Sequence, residues 1–355
     1  MVVSGRPATN WIPAIAAATV IVLTLISVGA LLASRYLSRP QGGMASGART
    51  PSSTATPTTS PVQLPSETYL SAPSRDVVWA FVDFRLLYRS QDRGQTWDLR
   101  RLPPAEGGGP ITFSFVDADN GWALLPGSPA TQCQAAGVQV WRTSDGADSW
   151  RLIASVEAPD SADNGLGPTQ CKEFISFVDK AHGFITAWDD NSAPTIYRTV
   201  DGGATWKPSQ LPDPPGFKTY GAGDALRAHE VFGFGDTLLL TAYGMQPSGG
   251  KGYVFKSTDG GATWRYAAEV PQAAIAVAFV TESRWLQVIV PGQSMETTDA
   301  GKTWHPFASD YGQAAPVSPQ VVFGDSAVGY ATVRGSIQRT EDGGVHWAYI
   351  KTPGT

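Results

Sequence analysis

A chain of 355 residues that is 42% hydrophobic can hold one large domain or two ordinary ones and has enough apolar side chains to bury a core. Only 26 Lys and Arg stand against 31 Asp and Glu, a net charge of −5, so there is no basic stripe to hold a phosphate backbone and nucleic acid is excluded as a partner. Glycine (38) and tryptophan (12) are plentiful while charges are few, which suits many short strands joined by tight turns.

The first 66 residues are a different material. After a short tail, residues 1–11, the uncharged run 12–33 ("IPAIAAATVIVLTLISVGALLA") would make a helix of about 33 Å, enough to cross a hydrocarbon layer of about 30 Å. Trp11 and Tyr36 stand where interfacial aromatics belong. A cleaved signal peptide is the competing reading, with Val28-Gly29-Ala30 as its cleavage site, but the run is longer than an ordinary signal core, so a retained signal-anchor helix is expected. Residues 34–66, rich in Pro, Ser and Thr, cannot bury a core and read as a stalk. Arg35, Arg39 and Arg49 follow the span and only Arg6 precedes it, which argues against export, whereas the stalk and the cysteines argue for it. The expectation is a single-pass membrane protein with its bulk on the extracytoplasmic side. Cys133 and Cys171 lack CxxC spacing and clustered histidines, so they make a poor metal site; a disulfide between them is expected, with two separate buried thiols as the competing reading.

From residue 67 onward one octapeptide recurs: "SQDRGQTW", "TSDGADSW", "TVDGGATW", "STDGGATW", "TTDAGKTW" and "TEDGGVHW". Its aspartates are Asp92, Asp145, Asp201, Asp259, Asp299 and Asp342, spaced by 53, 56, 58, 40 and 43 residues, and its tryptophans are Trp97, Trp150, Trp206, Trp264, Trp304 and Trp347. Each copy follows a period-2 segment such as "VWRT" or "VFKS", with two further strand-like segments upstream and one downstream. Four strands per unit and six units predict an all-β, six-bladed propeller over 67–353. The octapeptide is then the hairpin turn before the outermost strand: the Asp carboxylate accepts turn amides, glycine supplies positive φ, and Trp packs between blades. Ala147 in place of glycine, and Val345-His346 before the last Trp, predict looser turns there.

These residues resemble the Asp-box, or BNR, repeat of sialidases and of the propellers that assist photosystem II assembly. The resemblance implies the propeller fold and two functions: a non-enzymatic protein-binding assembly module, the leading reading, or a sialidase-like glycan-hydrolysing or glycan-binding protein. Sialidases of this kind use an arginine triad near innermost strands; here those strands carry only Arg227, which argues against that activity. Glu173 and Glu230 could form a carboxylate pair for another glycosidase, against the plainer reading of structural acids.

No cofactor or metal is expected. The octapeptide carboxylates are single, "DADNG" (Asp117 to Gly121) lacks the bidentate Glu of a calcium loop at Ser128, and His182, His229, His305 and His346 lack ligand spacing and read as surface or turn residues. Arg89, Arg142, Arg198, Lys256 and Arg339 recur just before the octapeptides, with Glu296 breaking the series; they read as stems over aromatics with heads paired to acids. The long insertions, 127–137, 157–169, 208–223, 244–252 and 309–317, all fall on the face opposite the turns. They offer Phe217, Lys218, Tyr220, Tyr243, Met245 and Tyr311 as candidate partner contacts for a protein segment or a sugar.

Overall fold

Each copy of the octapeptide joins the third strand to the fourth in a four-stranded antiparallel sheet, and six such sheets, each in simple sequential order, make a six-bladed propeller. The computed structural model describes residues 68–104, 111–126, 137–156, 164–167, 170–189, 192–219, 225–246, 249–289, 292–312, 320–333 and 336–353. Blade 1 holds β1 (Thr68–Ser71), β2 (Val78–Val82), β3 (Leu86–Ser90) and β4 (Asp98–Arg100), and blade 2 holds β5 (Thr112–Phe115), β6 (Gly121–Pro126), β7 (Val138–Thr143) and β8 (Arg151–Val156). Blade 3 holds β9 (Cys171–Phe177), β10 (Gly183–Asp189), β11 (Ser192–Thr199) and β12 (Lys207–Gln210), and blade 4 holds β13 (Ala225–Phe234), β14 (Thr237–Gln246), β15 (Gly249–Ser257) and β16 (Arg265–Glu269). Blade 5 holds β17 (Ala278–Phe279), β18 (Trp285–Gln287), β19 (Met295–Thr297) and β20 (His305–Pro306), and blade 6 holds β21 (Val321–Phe323), β22 (Gly329–Val333), β23 (Ser336–Thr340) and β24 (Ala348–Tyr349). The expected anchor over 12–33 and stalk over 34–66 lie outside the described residues; among those described, no helix is long and apolar enough to cross a membrane.

First strands of neighbouring blades touch one another, β5 with β9, β9 with β13, β17 with β21 and β21 with β1, so they line the axis. Among the described residues no strand is exchanged between the first and last blades, and side chains bridge them instead. Gln320 Nε2 donates to the Leu70 carbonyl at 3.2 Å and its Oε1 accepts the Leu70 amide, while Tyr330 Oη donates to Arg75 O at 2.9 Å and Trp97 Nε1 to Lys351 O at 2.9 Å.

The core lies between blades, because each sheet is apolar on both faces. Trp79 stacks on Phe115 of the next blade at 3.8 Å, and Trp122 stacks on Phe177 at 3.7 Å; both tryptophans are fully buried. Of the octapeptide tryptophans, Trp206, Trp264 and Trp347 are buried, and Trp97, Trp150 and Trp304 are partly buried, each of the six packing in its own apolar cluster.

In every turn the carboxylate is held the same way. At Asp92, Oδ1 accepts the Ser90 hydroxyl (2.8 Å) and the Thr96 amide (2.8 Å) while Oδ2 accepts the Thr96 hydroxyl (2.6 Å). At Asp342 the last partner is His346 Nδ1, at 2.6 Å. Two successive residues in each turn have positive φ, which glycine adopts without cost, yet Arg93, Ala147 and Ala300 adopt it too. The turns at Ala147 and His346 are not loosened: Thr143 Oγ1 accepts the Ala147 amide at 2.9 Å, and Asp342 Oδ1 accepts the His346 amide at 2.9 Å. The hydroxyl–amide bond offsets the modest cost of left-handed backbone at Ala147.

Multiple bonds to the charged form hold Asp117, Asp145, Asp259 and Asp299 down at about 2. Since the folded values lie below the ordinary carboxylate value of 3.8, their stabilisation is complete above about pH 4 and disappears as pH falls toward 2. Thermal melts between pH 5 and pH 2 should therefore show the unfolding midpoint falling mainly below about pH 4. A flat profile across that window would contradict the turn's role.

Three of the cations before the turns, Arg89, Lys256 and Arg339, clamp adjacent blades. Arg89 is buried, with its guanidinium 5.6 Å over Trp79 and Nη1 donating to Ala118 O of blade 2 at 2.8 Å; Arg339 Nη1 donates to Arg93 O of blade 1 at 2.8 Å. Where Glu296 breaks the series, Arg284 from the neighbouring strand edge pairs with it at 2.6 Å and donates to Gly343 O of blade 6 at 2.9 Å. Removing Arg89 as Arg89→Ala strands the Ala118 carbonyl and is expected to cost about 2 kcal/mol in denaturant unfolding. Arg198→Ala, whose head has no partner among the described residues, is expected to cost about 0.5 kcal/mol or less.

Candidate functional site at the channel mouth

On the face opposite the six turns, two innermost strands depart from regular pairing, and they do so where the titratable residues are. Along β9, Phe174 pairs with Thr186 but Lys172 pairs with Ala187, so Glu173 is the extra residue of a bulge. Along β13, Ala228 pairs with Ala242 and Val231 with Leu240, leaving His229 and Glu230 together opposite one residue. A bulge re-aims side chains that strict alternation would turn into the blade interface. Here it turns Glu173, His229 and Glu230 of two adjacent blades toward the axis.

A cavity of about 570 Å³ opens at this mouth, walled by Tyr69, Phe174, Tyr243 and Tyr253 with His229 and Glu230 at its edge. That size is within the range of small-molecule and cofactor sites. Two smaller cavities, about 180 and 240 Å³, continue from it along the axis, and Glu230 borders all three. Its carboxyl has no hydrogen-bond or ion-pair partner among the described residues. The side chain is half-buried and opens onto these cavities, and the partial loss of water around its carboxyl pushes its pKa up. Glu173 accepts a hydrogen bond from Trp188 Nε1 at 2.7 Å, and the Arg227 guanidinium lies 3.5 Å over the ring of that tryptophan. His229 is 5.1 Å from the Phe174 ring; burial, and to a lesser degree Arg227, lower its pKa against the opposing pull of Glu173, favouring the neutral imidazole. The mouth thus offers a neutral imidazole, an uncommitted carboxyl, a tryptophan-bound carboxyl and aromatic walls.

Of the residues expected to meet a partner, Tyr243 lines this cavity, Met245 is exposed near the tip of the β14–β15 hairpin, and Lys218 is exposed. Tyr220 lies outside the described residues. Two expectations are corrected. Phe217 is buried edge-on against Tyr253 at 6.1 Å, and Tyr311 is fully buried, donating its hydroxyl to Thr332 O and packing on Trp347 at 5.7 Å, so both anchor their own segments. The stretch 244–252 is mostly strand, since β14 and β15 pair out to Gln246 and Gly249. His229 is a further correction: it is a channel residue, whereas His182 and His346 are exposed turn residues paired with Asp179 and Asp342 and His305 is an exposed residue of β20 beside Glu296. Cys171 is disulfide-bonded, and the chain's other cysteine, Cys133, lies outside the described residues. Beside it Lys172 is turned into the protein, its ammonium within 3.2 Å of Gln170 O, and burial lowers its pKa to about 8.

No known family's sequence profile matches the chain. It is 28% identical over 235 residues to a xyloglucanase of Paenibacillus sp., covering 61% of this chain and 21% of that protein, and 27% identical over 233 residues to a xyloglucanase of Acetivibrio thermocellus, covering 60% and 26%. The chain therefore spans about a fifth to a quarter of the length of these curated relatives. Among solved structures it is similar to a Hadza microbial sialidase, with a TM-score of 0.49 and 17% identity over 76% of this chain and 65% of that one. It is also similar to YCF48 from Cyanidioschyzon merolae, with a TM-score of 0.46 and 18% identity over 83% and 89%.

Proposed function

We propose that this propeller is a glycan-binding module that takes a neutral chain of the xyloglucan type across its channel mouth. The observation that carries the reading is the pair of bulges at Glu173 and at His229–Glu230, beside two aromatic-walled cavities that share Glu230: His229 lines the larger and Glu173 the smaller. Carboxyl and imidazole groups suit hydroxyl recognition, and aromatic faces suit the apolar side of a pyranose ring. A neutral chain fits better than an acidic one, because the arginine at the mouth, Arg227, is already engaged with Trp188 and two carboxyl groups face the ligand. The similarity to xyloglucanases supports this choice of glycan.

In this reading the six turns are an Asp-box repeat that staples the blades, segment 12–33 anchors the chain, 34–66 is its stalk, and the propeller faces the extracytoplasmic side. A disulfide at Cys171 suits an oxidising compartment. Calorimetric titration with xyloglucan heptasaccharide tests the central point: saturable binding is expected, weakened at least tenfold by Glu230→Ala, without release of new reducing ends. Absence of binding, or binding indifferent to Glu230, contradicts it. A second reading, a protein client held as by an assembly module, draws on Met245 and Leu86, apolar side chains exposed at 38% and 41%. Co-purification of one client at stoichiometric yield, released by Met245→Asp, would favour that reading over the glycan.

A further inference from the structure

One turn on the mouth face is built against its own chemistry. Between β2 and β3 the chain reverses over Val82–Arg85, closed by the Arg85 amide donating to Val82 O at 3.1 Å, and both central residues, Asp83 and Phe84, have left-handed backbone at φ 52° and 53°. Two-residue turns of this hand favour Asn followed by Gly, because side chains in that region cost conformational energy. Phenylalanine is a poor choice for the second position on local grounds. Burial does not explain it either, since Phe84 is 40% exposed.

What the turn achieves is the placement of an aromatic ring. Phe84 lies 5.6 Å from Tyr69 with the two planes inclined at 52°, and it meets Phe81 edge-on at 6.1 Å. Tyr69, on the innermost strand of blade 1, is itself 48% exposed. Strain held at an exposed position and realised only as ring placement is the pattern of a binding surface. The two rings border the cavity of about 180 Å³, which shares Tyr69, Phe174 and Glu230 with the large cavity at the mouth. An occupant of the mouth therefore runs onto the shelf without leaving protein surface.

We infer that Tyr69 and Phe84 form a stacking subsite for a further sugar ring of the same neutral glycan, on the blade 1 side of the channel. The inference rests on the glycan reading of the mouth. Two inclined aromatic faces fit the apolar face of a pyranose and extend the ligand by one unit onto blade 1, along a cavity that Glu173 and Glu230 also border. The Asp83–Arg85 ion pair belongs to the turn itself.

The hand of the turn supplies the test. Phe84→Gly removes the ring and relieves the backbone, so the usual coupling of lost contacts to lost stability is broken. Xyloglucan heptasaccharide is titrated against the wild-type chain, Phe84→Gly, Asp83→Asn with Phe84→Gly, and Glu230→Ala, with thermal melts of each. The expected result is about tenfold weaker binding by both turn variants, with unfolding midpoints at or above that of the wild type. Wild-type affinity in Phe84→Gly, or weaker binding accompanied by a lowered midpoint, overturns the subsite. If the wild-type chain binds and Glu230→Ala weakens it while Phe84→Gly does not, the mouth stands and the shelf alone fails. If the wild-type chain leaves the sugar unbound, or takes a Phe- and Leu-rich decapeptide in its place, the glycan assignment of both fails.

Discussion

Replacing Trp122 with alanine should lower the unfolding free energy by about 3–5 kcal/mol, the range for deleting a large aromatic side chain from a core. The side chain is fully buried in the cluster between blades 2 and 3, stacked on Phe177 at 3.7 Å, under the Arg142 guanidinium at 5.1 Å, with Nε1 donating to Gly202 O at 2.9 Å. Its loss opens a cavity, strands that carbonyl, and removes the stacking surface between two blades at once. Trp206→Ala in the same cluster should cost a similar amount, since its ring meets Phe177 edge-on at 6.2 Å and is buried. Urea unfolding of both variants checks this, and a midpoint equal to that of the wild type would show that the blade interfaces do not hold the ring together.

Cys171→Ser should cost about 4 kcal/mol if the bond closes the 38-residue interval from Cys133, by the chain-entropy estimate. The partner follows from composition, since Cys171 is disulfide-bonded and the chain has only 2 cysteines. Peptide mapping of the non-reduced protein should find the Cys133 and Cys171 peptides joined. Two thiols open to alkylation would remove both the bond and the argument for an oxidising compartment.

The blades were legible in the sequence because one turn requires the same chemistry wherever it occurs: a Ser or Thr, an Asp two residues on, residues tolerant of positive φ, and a Trp. The Glu296 exception was not legible as compensated, because Arg284, which takes over the clamp, is a neighbour only across the β18–β19 pairing. The mouth was less legible still. Alternation along "KEFISF" or "RAHEVF" assigns each side chain to one face, and a bulge inserted at Glu173 or at His229–Glu230 changes that assignment without any Gly or Pro to mark it. Phe217 and Tyr311 failed as surface contacts for a related reason. An aromatic residue in a connecting segment looks the same whether it reaches outward or pins the segment to the core, and here both pin it. The blade 4 hairpin was read as a loop because "GMQPSGGKG" carries turn residues, yet pairing persists to its tip and the hairpin raises Tyr243 beside the mouth.

Hydrogen exchange with and without xyloglucan heptasaccharide tests the central claim most directly, because it reports where on the propeller a ligand acts. Binding at the mouth predicts slowed exchange in β9 around Glu173, in β13 around His229 and Glu230, and in the facing part of β14, with the six turns on the opposite face unchanged. Slowing confined to those turns, or no change anywhere at saturating sugar, would contradict it.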